Sequence, residues 1–167
     1  HLKKVARELG GKNALLILDA ADLDLAVANT AWGVYLHQGQ ICMATGRVLV
    51  HRKLHAAFLE KLVAKAKSLK VGDPAREDVA IGPLINATQR DHAARVVADA
   101  VKAGATLEAG GTHQDLFFAP TVLGNVAVDN PAFNEEIFAP VAVVVPFDDD
   151  DQAVQLANDS EYGLSMA

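Results

Sequence analysis

Val141-Ala142-Val143-Val144-Val145-Pro146-Phe147 is the strongest strand signal in this 167-residue chain. Its β-branched residues favour extended backbone, and what surrounds it decides the fold. Behind it come an acidic turn and a helix from Gln152 to Asn158; before it, Pro120 to Val128 reads as extended. Working outward, Asn13 to Asp19 and Gly46 to His51 are short aliphatic runs that suit buried strands, and Ala105 to Ala109 is a shorter one. Helices fill the intervals. One is capped by Asp22 or Asp24 and runs toward His37, with Leu25, Ala28, Trp32 and Leu36 recurring as its apolar stripe. The next covers Leu54 to Leu69 with Phe58, Leu59, Leu62, Val63 and Ala66 inward, and a third covers Thr88 to Lys102. Strands alternating with helices at this spacing predict the α/β class, a largely parallel sheet covered by helices on both faces.

Hydrophobic residues make up 51% and charged residues 22% of the chain, an ordinary globular composition. One domain fits this length, which suffices to bury roughly two-thirds of the unfolded surface. No internal repeat or interdomain linker stands out. A net charge of -6 argues against a nucleic-acid or anionic-membrane partner, because either needs a positive field. No apolar run reaches the roughly 20 residues that span a bilayer. The single cysteine cannot form an internal disulfide, so a cytoplasmic setting is the default expectation. HLKKVARELGGK at the start reads as the tail of an earlier element, and SEYGLSMA at the end has no helix stop, so the chain is expected to be a fragment.

Three stretches could carry chemistry. In HQGQICMATGR, His37 to Arg47, the lone Cys42 follows Gly39 on a turn between a helix and a strand. There its thiolate could attack a carbonyl and its amide could hold the resulting oxyanion; equally, free cysteines are among the most buried residue types. In Glu8-Leu9-Gly10-Gly11-Lys12 the glycine pair allows close backbone approach to a ligand and Glu8 could serve as a general base, or the segment is simply a turn. In Asn134-Glu135-Glu136-Ile137-Phe138-Ala139-Pro140 an acid could bond ribose hydroxyls and Phe138 could face a planar ring, or the stretch is a solvated loop. The six histidines show no zinc-ligand spacing, and Asp148 to Asp151 reads as a helix N-terminal turn, so no metal is assigned.

Taken together the motifs resemble the aldehyde dehydrogenase superfamily. ELGGK (Glu8–Lys12), GQIC (Gly39–Cys42), GPLI (Gly82–Ile85), PTVL (Pro120–Leu123), EEIFAP (Glu135–Pro140) and EYGLS (Glu161–Ser165) stand in that family's order, with Glu8 34 residues before Cys42. HLKK, HQGQICMATGR and SEYGLS are most similar to the benzaldehyde and vanillin dehydrogenases, which act on aromatic aldehydes.

The resemblance implies a thiol-bearing catalytic domain, with residues 1–167 covering part of it. The cofactor-binding domain and a C-terminal oligomerisation segment would lie outside. It implies Cys42 as nucleophile and Glu8 as the base for hydrolytic water. It implies Glu136 and Phe138 at the nicotinamide ribose and ring, Leu9 as a backbone contact to the carboxamide, and Gln89 as an adenosine-ribose contact in some members. The cofactor would be NAD or NADP, the substrate a small aldehyde, and the parent enzyme a homodimer or homotetramer. The isolated chain is expected to be inactive. Rival readings are a relative that passes its thioester to coenzyme A, disfavoured by Glu8, and a noncatalytic module that keeps the fold. Two residues depart from the family pattern: Arg7, where an apolar or small residue is usual, and Ala139, where glycine is usual and a methyl is tolerated unless φ is positive.

Overall fold

The computed structural model describes residues 2–167; His1, the first of the six histidines, lies outside the described residues. Strands β1 (Asn13–Ile17), β2 (Thr45–His51), β3 (Thr106–Ala109), β6 (Thr121–Gly124) and β7 (Val141–Phe147) form one sheet in the order β1-β2-β7-β6-β3. Every pairing in it is parallel except that of β3 with β6. A two-stranded hairpin, β4 (His113–Gln114) with β5 (Phe117–Phe118), stands apart. Residues 166–167 lie along the free edge of β1, where Leu16 N–H donates to Ala167 O and Ala167 N–H to Ala14 O.

The central position of β7 explains its unbroken hydrophobicity. Val141, Val143, Val145 and Phe147 enter one core with Ala93, Val96, Val97 and Ala100 of α3 (Ala87–Lys102) and with Ala153 and Leu156 of α5 (Asp150–Asn158). Ala142 and Val144 enter the other, with Val27, Ala31, Val34 and Tyr35 of α1 (Leu23–Tyr35) and Phe58, Leu62 and Ala66 of α2 (Arg52–Ser68). With both faces buried, alternation with polar residues has no role. A further α-helix, α4, is a single turn at Pro131–Asn134.

Side chains start the helices. Asp22 accepts from Leu25 N–H, Asn86 from Gln89 N–H and Asp149 from Gln152 N–H, so within the acidic run Asp149 is the cap and Asp150 and Asp151 the first turn of α5, while Asp148 before them pairs with Arg52. One expectation fails. The stripe Leu25, Ala28, Trp32 of α1 faces outward, with Leu25 61% and Trp32 68% exposed; Leu36 beyond it is half-buried. The buried face is Val27, Thr30, Ala31, Val34 and Tyr35. α1 carries two overlapping apolar stripes, and only the tertiary context selects between them.

Candidate active site

The thiol lies on a strained turn. α1 ends at Tyr35, and His37 (φ 48°), Gln38 (φ 61°) and Gly39 (φ 69°) are three consecutive left-handed residues. For residues with a Cβ this region costs about 1–2 kcal/mol each. Gly39 has a second reason to be glycine, since a Cβ there would stand 2.3 Å from Ala139 O. Beyond the turn, Asn13 Nδ2 donates to the carbonyls of Cys42 and Ala44, both at 2.8 Å, while its Oδ1 accepts from Ser165 N–H. The Cys42 carbonyl is thus fixed, whereas its N–H meets no acceptor among the described residues.

The glycine pair brings the other two motifs against this turn. A Cβ on Gly11 would lie 2.5 Å from Cys42 O, and one on Gly10 (φ 72°) 2.7 Å from Glu136 Oε2. Gly11 N–H donates to Glu136 Oε1 at 2.9 Å. The close approach read from the sequence is therefore protein against protein, and it leaves Glu136 with one oxygen anchored and the other beside Gly10.

Helix α3 holds the segment 135–138 with one face. Gln89 Nε2 donates to the carbonyls of Ile137 (2.8 Å) and Phe138 (3.0 Å), His92 Nε2 is 2.9 Å from Glu136 O, and Arg95 pairs with Glu135 at 2.6 Å. Phe138 itself is left-handed (φ 53°), and Ala139 is not, so the methyl in place of glycine meets no backbone obstacle. The amide nitrogen of Gln89, implied by resemblance as a ribose contact, is occupied by these two carbonyls.

Glu8, Gly10, Cys42, Glu136, Phe138 and Tyr162 open together onto a groove of about 1000 Å³, whose α3 side carries Gln89 and His92. Leu9 is outside its lining and is 77% exposed, although its backbone runs between two lining residues. Behind the groove Lys12 is 2% exposed. Burial, reinforced by the Arg47 guanidinium, pushes its ammonium down to about 7 against the opposing pull of Glu136 and Glu135. Cys42, Glu8, Glu136 and Phe138 are thus brought together. Asn13, His92, Arg95 and Tyr162 were not singled out by the sequence; the only signal for Tyr162 is its place within EYGLS.

The aldehyde dehydrogenase family model matches residues 1–167. The chain is 50% identical over 166 residues to vanillin dehydrogenase of Amycolatopsis sp. and, equally, to benzaldehyde dehydrogenase [NAD(+)] of Pseudomonas putida. Each match covers 99% of this chain and 34% of the relative, so the chain spans about a third of their length. The crystal structure of succinate-semialdehyde dehydrogenase from Burkholderia pseudomallei superposes with a TM-score of 0.93 at 39% identity, over 95% of this chain and 34% of that one. With the motif order, the parallel sheet and the groove shared by Cys42 and Glu8, these matches establish that the chain belongs to the aldehyde dehydrogenase family.

Proposed function

We infer that this chain is the thiol-bearing part of a longer enzyme that oxidises an aldehyde, most fittingly an aromatic one, to its carboxylic acid with NAD or NADP. The observation that carries the reading is the common groove of Cys42, Glu8, Glu136 and Phe138. The 50% identity to vanillin and benzaldehyde dehydrogenases supports the aromatic substrate class, and the NAD(+) in the second name supports the cofactor.

The residues suit a nicotinamide ribose. Glu136 keeps one oxygen on Gly11 N–H and has the other beside Gly10 in the groove lining, an acceptor for the O–H of a ribose hydroxyl, and Phe138 offers a ring face. When bound, the nicotinamide supplies a hydride acceptor. The rest falls to the protein. Cys42 thiolate bonds to the aldehyde carbon, and the Cys42 N–H donates to the oxygen that becomes anionic in the thiohemiacetal. Loss of hydride leaves a thioester on Cys42. Glu8 then takes a proton from water, the hydroxide attacks the thioester carbon, and the acid leaves as Cys42 is restored. The Leu9 backbone, between the groove residues Glu8 and Gly10, takes the role of carboxamide contact that the resemblance implies. Oligomerisation as a dimer or tetramer and a cytoplasmic setting accompany this reading as proposals.

Single-turnover kinetics on the complete enzyme test it. With benzaldehyde, Glu8→Gln gives one equivalent of NAD(P)H and then stalls, whereas Cys42→Ala gives none. Turnover by Cys42→Ala would refute the nucleophile, and a clear preference for long aliphatic aldehydes would refute the substrate class. The 167-residue chain alone is expected to form no NAD(P)H.

A further inference from the structure

The GPLI segment, Gly82–Ile85, has no part in the chemistry above, yet it touches the thiol turn at two points. With its amide turned so that oxygen faces the donor and nitrogen the acceptor, the assignment its neighbours require, Gln38 accepts from Gly82 N–H at 2.7 Å and donates to His37 O at 2.9 Å. Gln40 Oε1 accepts from Ile85 N–H at 3.0 Å, and Gln40 N–H returns to His37 O. Both glutamines stand within four residues of Cys42, one inside the left-handed run and one just after it.

The segment itself is well braced. Ile81 is buried and bridged to Val71, Leu84 is buried in the α3 core, and Leu84 N–H donates to Leu116 O. Fixed donors therefore meet a strained turn, and strain persists only where the surroundings over-determine it. We propose that Gly82–Ile85 is a cradle that fixes the Cys42 turn, with Gln38 and Gln40 as positioning residues for the thiol and its oxyanion-binding N–H. Gln40 lines the groove beside Cys42, so its bond to Ile85 N–H lies one residue from the backbone that must aim that N–H.

The inference rests on Cys42 being the nucleophile. In the complete enzyme, Gln40→Met keeps the length of the side chain and removes the acceptor, while Ile85→Pro removes the donor from the other side at an exposed position. A displacement of the reacting geometry by about 1 Å costs on the order of a hundredfold. Each variant is thus expected to lower kcat by roughly ten- to a hundredfold, leaving the cofactor KM within about twofold. Combining them adds no further loss, because both cut the same bond. Unchanged kcat, or losses that multiply in the double variant, would overturn the proposal, as would unfolding of both single variants, which would make the bond purely structural. If one variant fails to fold, the other decides. Cys42→Ala is measured alongside: turnover there sinks the functional reading itself, whereas a dead Cys42→Ala beside a fully active Gln40→Met sinks the cradle alone.

Discussion

Replacing Arg47 by methionine should detach one end of the site from the sheet. Arg47 is a charged residue in β2, yet it is only 2% exposed. Its Nε donates to Lys12 O at 3.0 Å, Nη1 to Leu156 O at 2.7 Å and Asp159 O at 2.9 Å, and Nη2 to Ala157 O at 2.9 Å. The guanidinium also lies 4.9 Å from the ring centre of Phe133. One side chain thereby ties the ELGGK segment to the carbonyl end of α5, where a positive charge complements the helix dipole. Methionine fills much of the space and offers no donor. Hydrogen bonds to a charged group are worth about 1.5–3 kcal/mol each, but removing the guanidinium also removes its desolvation cost, so the net loss is about 3–5 kcal/mol. Urea unfolding of the 167-residue chain, followed by far-ultraviolet circular dichroism, reads this directly. At a slope of about 2 kcal/mol per molar, the midpoint should fall by about 2 M. Arg47→Lys should fall between the two, because an ammonium cannot reach all four carbonyls in one geometry. A midpoint for Arg47→Met within about 0.5 M of the parent, at unchanged slope, would refute the view that this network supports the fold.

Two further outcomes follow from burial. Lys12 binds its proton more weakly folded, at about 7, than unfolded, at 10.5, so between those values the unfolded chain holds more protons and stability rises with pH. From pH 7 to pH 9 the gain should be on the order of 2 kcal/mol in urea titrations; Lys12→Met should flatten that rise, and an equal rise in both proteins would contradict the buried, half-neutral amine. On α1, Trp32→Ser should cost less than about 1 kcal/mol because the indole is exposed, whereas Val34→Ala, at a fully buried position, should cost roughly 2 kcal/mol. The reverse order in thermal denaturation would restore the outward stripe as the core face.

The strands and helices were legible because their signals are local: a continuous aliphatic run, an acid at a cap, apolar residues at helical spacing. α1 shows where locality ends, since Val27, Thr30, Ala31, Val34 and Tyr35 follow the same period as the stripe that was read, and the polar Thr30 hides the face that is buried. At the site, Cys42 and Glu8 became legible through the order of several motifs, while the local chemistry of either stretch left two readings open. Gly10 and Gly11 were legible as places of close approach, but what approaches them comes from residues 42 and 136, outside any local window. The ties made by Asn13, Gln38, Gln40 and Gln89 left no sequence signal: Gln40 stood only as a letter of GQIC, and Gln89 only as a ribose contact implied by resemblance. Each reaches a backbone group 29 to 49 residues away, and a backbone partner imposes no residue type on the position that supplies it. A tight junction excludes every side chain but hydrogen at its contact point, whereas the amide that ties it can be sent from any nearby element. The glycines of such a site are therefore readable from sequence long before the side chains that hold it in place.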